Sequence, residues 1–182
     1  MRFNRAIILI TGNMQGPARS SGLERPWHKI MSADTGGACV VNMPHTHRMD
    51  AKAQAAIYSR HIELDARIDI VAYSYGATAA LNLTNAFKFQ GRDVHTVVTV
   101  DGVRKGLALI SRMFKDVNGF SWPNSVRNVW RIYQREDWPL GHRMKVKPGT
   151  KLRHIKLRYG HTDIDDQPET HDVIADALGL EL

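Results

Sequence analysis

The sequence predicts a single α/β domain over residues 1–182, with helices on both faces of a mostly parallel sheet of about six strands. Two observations lead to this prediction. Short apolar runs rich in β-branched residues recur along the chain, and segments with helical spacing separate most of them. Several of these runs are nearly continuous rather than alternating, which is typical of parallel strands buried on both faces. The expected architecture is therefore a three-layer α/β/α sandwich.

The individual elements follow from the same patterns. Six runs are interpreted as strands: residues 5–11, 38–43, 68–73, 94–100, 126–133 and 152–159. Helices are predicted over residues 22–33, 51–64, 75–89, 104–114 and 167–178. Asp50 is placed to cap the second helix, and Asp166 with Glu169 has the spacing of a capping box before the last one. Residues 117–124 and 138–150 are turn-rich or polar and are predicted to be loops.

Composition narrows the class of protein. A chain of 182 residues, 43% of them hydrophobic, suits one domain with a real core. Cys39 is the only cysteine, so no intrachain disulfide can form, which favours a reducing compartment such as the cytoplasm. No apolar run approaches the roughly 20 residues of a membrane span.

The positive charge is interpreted as a solvated surface. The formal net charge is +7, and lysines and arginines are concentrated in residues 143–158. Part of that stretch alternates with apolar residues, as in a strand with one exposed face. No aromatic residue is interleaved there, as a base-stacking platform would require. The pattern does not favour nucleic acid as a partner.

A serine stands alone where a predicted strand meets a predicted helix. Residues 71–76 read Val-Ala-Tyr-Ser-Tyr-Gly, with β-branched residues before Ser74 and small residues after Gly76. This is the layout of a nucleophile elbow, usually spelled G-x-S-x-G, with Ala72 in place of the first glycine. The alternative interpretation is that Ser74 is a helix N-cap, since serine is a preferred capping residue.

Other polar residues follow the ends of other predicted strands. A glycine-bearing loop, residues 12–17, follows the first strand, Asp137 follows the fifth and His161 follows the sixth. Ligands of an open parallel sheet bind at the carboxyl ends of its strands, so we expect these residues to lie at one edge with Ser74.

This arrangement resembles the α/β-hydrolase family, whose triad has the chain order Ser, acid, His. The resemblance covers most of the chain in the order and spacing of elements, and in local sequence it is limited to the elbow and the Gly160-His161 turn. The chain begins at what would be the third strand of the family, and no segment is long enough for a full lid. It therefore resembles a minimal core, similar in size to small cutinase-like esterases but without their disulfides.

The resemblance implies a serine hydrolase that cleaves a small-molecule carboxylic ester or thioester through an acyl-enzyme intermediate, with no cofactor. A serine hydroxyl needs an adjacent imidazole to take its proton, and a carboxylate must hold that imidazole in the right tautomer. The tetrahedral intermediate also needs preorganised N–H donors. The implied residues are Ser74 as nucleophile, His161 as base, Asp137 as acid, and the N–H groups of Tyr75 and of Asn13 or Met14 as the oxyanion hole.

Several assignments stay open at this point. Asp101, at the end of the fourth strand and before Gly102, is the alternative acid, and some family members use that earlier position. Glu136 ranks after both. The alternative base is His171, which the pattern places inside the last helix.

Other functions also stay open. His45 and His47, together with His161 and Asp163, do not have the spacing of a known zinc site, so no metal is predicted. A catalytically inactive binding module on the same scaffold is the main alternative function. A flavodoxin-like domain that binds nucleotide or nucleic acid is the other.

Overall fold

The computed structural model describes residues 2–12, 23–32, 38–43, 50–104 and 118–180. Their elements, in chain order, are β1 (Phe3–Ile10), α1 (Glu24–Ser32), β2 (Ala38–Met43), α2 (Ala51–His61), β3 (Ile62–Tyr73), α3 (Gly76–Phe89), β4 (Val94–Val100), β5 (Asn118–Ser121), β6 (Val126–Tyr133), β7 (Arg143–Lys145), β8 (Lys151–Lys156) and α4 (Pro168–Leu178). A single 3-10 turn, Ile164–Asp166, precedes α4. The helix expected over residues 104–114 lies almost wholly outside the described residues.

Six strands of the described chain form one sheet in the order β2-β1-β3-β4-β6-β8. Every neighbouring pair is parallel. These are the six strands that the apolar runs predict, so the predicted α/β class and its parallel sheet are confirmed. From β1 the chain passes to β2, at one edge of the sheet. It then returns to β3, on the other side of β1, and the later strands are added toward the opposite edge. The carboxyl ends of β1 and β3 therefore flank the point where the winding direction changes, where open α/β sheets bind ligands.

Helices pack on both faces of this sheet, which gives the three expected layers. One core contains Ile8 and Ile70 of the sheet together with Leu83 of α3, and Ala55 of α2 belongs to it as well. The other contains Ile7 and Val71 together with residues of α1 and α4. Adjacent strand residues thus point into opposite cores, as the pleat requires, and a continuous apolar run is needed to fill both.

Helix α2 is shorter than predicted, and β3 is correspondingly longer. The helix ends at His61 and the chain continues as a strand from Ile62. Ile62 is buried and pairs with Phe3 of β1, before an irregularity that separates this pairing from the one between Arg5 and Arg67. The helical pattern continued across this boundary, and a non-local strand pairing decided it.

A second, two-stranded parallel sheet, β5-β7, was not predicted. Both strands are very short and lie in stretches interpreted as loops. They form because Phe120, Trp122 and Met144 are buried against the core on the α3 side of the main sheet. The indole N–H of Trp122 lies 3.4 Å from the Met144 sulfur. Burial across the chain, rather than local pattern, makes these residues extended.

The two predicted helix caps have different outcomes. The Asp50 side chain accepts hydrogen bonds from the N–H groups of Lys52 and Ala53, as expected of an N-cap. The capping box at Asp166 is wrong: Asp166 ends the 3-10 turn, and Gln167 occupies the N-cap position. Glu169 instead accepts a hydrogen bond from the Tyr159 hydroxyl.

Within the described residues, none of the helices has the length and apolar character needed to cross a membrane.

Candidate active site

Ser74 occupies a strained turn between β3 and α3. Its φ angle is +51°, in the left-handed region that residues with a side chain rarely adopt. Its amide donates to the Val100 carbonyl at 3.0 Å, and its carbonyl accepts from the N–H groups of Ala77 and Val103. Such strain persists only where the surroundings fix it, and it is a feature of functional turns. The turn therefore has the backbone geometry of a nucleophile elbow.

The glycines around the turn are required because the end of β1 passes very close to Ser74 and to the start of α3. A Cβ on Gly76 would lie 2.6 Å from the carbonyl oxygens of Ile10 and Thr11, at the end of β1. A Cβ on Gly12 would lie 2.9 Å from the Tyr73 ring and 3.1 Å from the Ser74 Cβ. Ala72 is fully buried in the core on the α3 side, where its methyl group fits. The departure from G-x-S-x-G thus falls at the position where a side chain is accommodated.

The N-cap interpretation of Ser74 does not match the structure. Tyr75, not Ser74, is at the N-cap position of α3, and no side chain makes a capping hydrogen bond there. The Ser74 hydroxyl instead lies 2.9 Å from Nε2 of His161. Ser74 and His161 are both largely buried.

His161 is held at four atoms. Nε2 faces Ser74, and Nδ1 lies 2.6 Å from Oδ2 of Asp101. The backbone N–H donates to Oδ1 of Asp137 at 2.6 Å, and the backbone carbonyl accepts a hydrogen bond from the Tyr73 hydroxyl. The Tyr73 ring also stacks on the imidazole, with centroids 5.3 Å apart. Both the position and the orientation of the ring are therefore fixed.

These contacts also set the tautomer of the imidazole. A carboxylate only accepts hydrogen bonds, so Nδ1 carries the proton that Asp101 receives. Nε2 is then left with a lone pair that faces the Ser74 hydroxyl. A base in this state is ready to accept the serine proton.

The imidazole contact that the sequence assigned to Asp137 is made by Asp101. The hydrogen bond from Asp137 to His161 is made to the backbone N–H and not to the ring. Asp101 is fully buried, and its φ angle of +43° turns its side chain from the end of β4 toward His161. Nothing in the local sequence distinguishes this backbone conformation. The available signal was Asp101-Gly102 directly after a strand.

The environment of Asp101 is closely packed. A Cβ on Gly141 would lie 2.3 Å from Asp101 Oδ1, so only glycine fits against the carboxylate. The Gly141 carbonyl is itself held by the buried Arg131 guanidinium at 2.9 Å. Burial, reinforced by Arg135, lowers the pKa of Arg131 to about 10.

Gln134 contacts both acids and was missed by the sequence analysis. It follows β6 and is fully buried. Its Nε2 donates to Asp101 Oδ2 at 2.9 Å and to the Asp137 carbonyl at 2.9 Å. Its Oε1 accepts from the N–H groups of Glu136 at 2.5 Å and Asp137 at 3.0 Å. Glu136, the third candidate acid, thus contributes a backbone contact here rather than its carboxylate.

Tyr73 is kept protonated by its surroundings. Burial raises the pKa of its phenol well above the usual range, and the nearby carboxylates Asp165 and Asp101 raise it further. The hydroxyl therefore remains a donor to the His161 carbonyl across the accessible pH range. This tyrosine was recognised as part of the elbow but not as a support for the histidine.

The remaining candidates are placed as follows. Tyr75 stands at the start of α3, directly after Ser74, where helix N–H groups point outward. Asn13 and Met14 lie outside the described residues, as do His45 and His47. Within the described chain, no cluster of three potential metal ligands exists.

His171, the alternative base, is away from Ser74. It is buried in α4, and its Nε2 lies 2.9 Å from the Asp165 carbonyl. The structure thus brings together Ser74, His161 and Asp101, with Asp137 against the backbone of the histidine.

No family model matches the chain, and no curated protein matches it in sequence. Solved structures do match it. The thioesterase domain of NocB, from the nocardicin cluster, has a TM-score of 0.59 at 13% identity, and the alignment covers 98% of this chain and 95% of that one. The type II thioesterase BorB, from the borrelidin biosynthetic cluster, has a TM-score of 0.60 at 11% identity, with 96% and 92% covered. SrfTE, the thioesterase domain that cyclises the lipopeptide surfactin, has a TM-score of 0.59 at 11% identity, with 98% and 93% covered.

The fold is that of an α/β-hydrolase. The sheet order of an α/β-hydrolase core does not by itself exclude the flavodoxin-like alternative, because flavodoxin-like sheets begin with the same order. What favours the α/β-hydrolase is the turn after β3, which holds a left-handed serine in contact with a histidine. The loop after β1, where the flavodoxin-like alternative would need its phosphate-binding glycines, lies almost wholly outside the described residues.

Proposed function

We propose that the chain is a serine hydrolase that cleaves a thioester, or a related carboxylic ester, through Ser74, His161 and Asp101. The observation that carries this proposal is the continuous contact from Ser74 Oγ to His161 Nε2 at 2.9 Å, and from Nδ1 to Asp101 Oδ2 at 2.6 Å. Three residues from three different strand ends converge within hydrogen-bonding distance. A serine that merely caps a helix would not require the other two.

The first half of the reaction forms an acyl-enzyme. Ser74 Oγ attacks the acyl carbon while its proton passes to His161 Nε2. Asp101 stabilises the imidazolium that results. The tetrahedral intermediate then collapses, the bond from carbon to sulfur (or to oxygen) breaks, and the imidazolium gives its proton to the leaving group.

The second half regenerates the enzyme. A water molecule takes the place of the leaving group and gives its proton to His161 Nε2 as its oxygen attacks the acyl-Ser74 carbon. Collapse of this second intermediate releases the carboxylic acid and returns the proton to Ser74. No cofactor enters either half, in keeping with the chemistry of an activated serine.

The oxyanion hole is assigned to backbone donors. The N–H of Tyr75 stands at the positive end of α3, a helix of 14 residues, and the second donor is assigned to Asn13 or Met14 in the loop after β1. Loss of one such donor typically costs about 10²–10³ in rate.

A thioester is preferred as the substrate because the structural neighbours are thioesterases. This preference rests on likeness of fold, and fold does not fix substrate. The geometry of the serine, histidine and acid supports the chemistry, and the neighbours support only the choice of leaving group.

A fluorophosphonate probe and a pair of model substrates test the proposal. We expect wild-type protein to be labelled, and to hydrolyse an acyl thioester faster than the oxygen ester of the same acyl group. Ser74→Ala should abolish both labelling and turnover. Ser59→Ala is the matched control, since Ser59 bonds to Gln90 on the surface and should have no effect.

The outcomes separate the alternatives. A folded wild-type protein that neither reacts with the probe nor turns over either substrate would favour the inactive binding module. Labelling that persists in Ser74→Ala would move the nucleophile elsewhere. Faster cleavage of the oxygen ester would keep the serine hydrolase and change its substrate class.

A further inference from the structure

We propose that Gln134 is the positioning residue that holds both carboxylates around His161, Asp101 against its ring and Asp137 against its backbone. This inference rests on the proposed function, because positioning matters only if His161 acts as a base. Among the described residues, Gln134 itself makes no hydrogen bond to Ser74 or to the imidazole. It acts through the two acids.

The orientation of the Gln134 amide follows from its neighbours. Its Nε2 is surrounded by acceptors: Asp101 Oδ2, the Asp137 carbonyl and, at 3.3 Å, the Pro139 carbonyl. Its Oε1 is surrounded by the N–H groups of Glu136 and Asp137. The opposite assignment would set donors against donors and acceptors against acceptors, so this one is determined by the network.

The donor end of Gln134 fixes the plane of the Asp101 carboxylate. Oδ2 of Asp101 receives two donors, Gln134 Nε2 and His161 Nδ1. The carboxylate is fully buried, so these hydrogen bonds replace the water that it loses on burial. An amide N–H donates a hydrogen bond to the carboxylate without transferring its proton.

The acceptor end of Gln134 fixes the turn that carries Asp137. Two successive N–H groups close onto Oε1, so residues 134–137 fold back on themselves. This returns the Asp137 side chain to the backbone N–H of His161. Gly160 leaves room for it, because a Cβ there would lie 2.8 Å from Asp137 Oδ2.

An amide serves both ends at once whatever the pH. A leucine would provide neither the donor nor the acceptor. A glutamate would set a second carboxylate against Asp101, and two such groups at hydrogen-bonding distance cannot both ionise easily. A glutamate that kept its proton would restore the donor to Asp101 and the acceptor, but not the second N–H donor of the amide.

This difference gives a test that a purely structural role would not pass. In Gln134→Glu, the ratio of the variant's kcat to the wild-type kcat should rise as the pH is lowered from about 8 to about 5.5, because the shared proton restores the donor. In Gln134→Leu, kcat should fall by about tenfold, with KM within about twofold, and the ratio should stay flat over that range.

A matched control lies on the strand that precedes Gln134. Asn128 of β6 donates to the His95 carbonyl at 3.1 Å, away from the site. Asn128→Asp makes the same change from amide to carboxylate and should show a flat ratio. A flat ratio for Gln134→Glu, or an equal rise for Asn128→Asp, would overturn the proposal.

A second readout does not depend on activity. The proton on His161 Nδ1 should give a low-field NMR signal, identified by its loss in Asp101→Asn. We expect it to persist in Asn128→Asp and to be lost in Gln134→Glu at the higher pH. If the wild type has no hydrolase activity, the proposed function fails, but the NMR signal still tests the role of Gln134. Persistence of the signal in Gln134→Glu at the higher pH would overturn that role.

Discussion

The Asp137 carboxylate accepts a hydrogen bond from the backbone N–H of His161 at 2.6 Å, whereas the imidazole of that histidine faces a different acid. Two aspartates thus contact the histidine at two places, one at its backbone and the other at its ring. Asp101, 2.6 Å from Nδ1, sets the tautomer of the ring. Asp137 sets where the backbone of the histidine lies. The two roles predict different responses to the same substitution.

Asp101→Asn should be far more harmful than Asp137→Asn. An asparagine at 101 allows the wrong imidazole tautomer, a change that costs about 10⁴ in kcat in a serine protease triad. An asparagine at 137 keeps an oxygen that accepts the His161 N–H, so we expect kcat within about threefold of wild type. Steady-state kinetics of both variants measure this. The reverse order would restore Asp137 as the acid on the ring.

Ser74→Gly should be inactive but more stable than Ser74→Ala. Both Ser74→Gly and Ser74→Ala remove the hydroxyl and should be inactive. The left-handed backbone at 74 disfavours alanine by about 1–2 kcal/mol but does not disfavour glycine. The greater freedom of glycine in the unfolded chain offsets part of this difference.

The free energy of unfolding of Ser74→Gly should therefore exceed that of Ser74→Ala by roughly 0.5–1 kcal/mol. Urea denaturation of the two variants gives this difference directly. Equal stabilities would mean that the turn is not strained.

Gly76→Ala should destabilise the fold by about 1–3 kcal/mol, since the new Cβ meets two backbone carbonyls at 2.6 Å and the backbone has to shift. Gly91→Ala is the control, because its Cβ would meet nothing within 4 Å and only its φ of +71° opposes the change. We expect about 1 kcal/mol there. Thermal unfolding measures both, and an equal or smaller loss at Gly76 would contradict the close approach of β1 to α3.

Stability should fall in acid through His142. Burial lowers the pKa of His142, with Arg131 and Arg104 lowering it further against the opposing effect of Asp101. Its Nδ1 accepts the Arg104 N–H at 2.8 Å, which requires the neutral ring. As the pH falls below about 6.5, the unfolded chain takes up a proton that the folded protein does not, so the free energy of unfolding decreases.

His142→Asn should remove part of this loss, because the amide oxygen still accepts the Arg104 N–H but does not titrate. The measurement is the change in melting temperature between neutral and mildly acidic buffer. His28→Asn, on the exposed surface of α1, should keep the wild-type dependence. A variant at 142 that loses as much stability in acid as wild type would contradict the assignment.

The sequence by itself determined the elements that have strong local signals. The apolar runs predicted most strands of the main sheet, because strands buried on both faces need apolar residues at nearly every position. The edge strand β8, which is largely exposed, was predicted from charged residues that alternate with apolar ones. The elbow could be predicted because a serine, with a glycine two residues later, stands between a strand pattern and a helix pattern. His161 was readable because a polar residue after the last strand of a parallel sheet has to lie at the edge where ligands bind.

Only the tertiary structure decided which acid faces the imidazole. Asp101 and Asp137 both follow strands, and their local sequences do not say which carboxylate turns inward. That choice depends on a left-handed backbone at Asp101 and on Gly141 packing against its carboxylate, together with a buried Gln134 that binds both acids. These contacts join residues up to 60 positions apart, and the boundary of β3 and the β5-β7 sheet depend on distant partners in the same way. Local pattern reports which residues are to be buried or extended, whereas side-chain direction at a strand end is set by whatever packs against it.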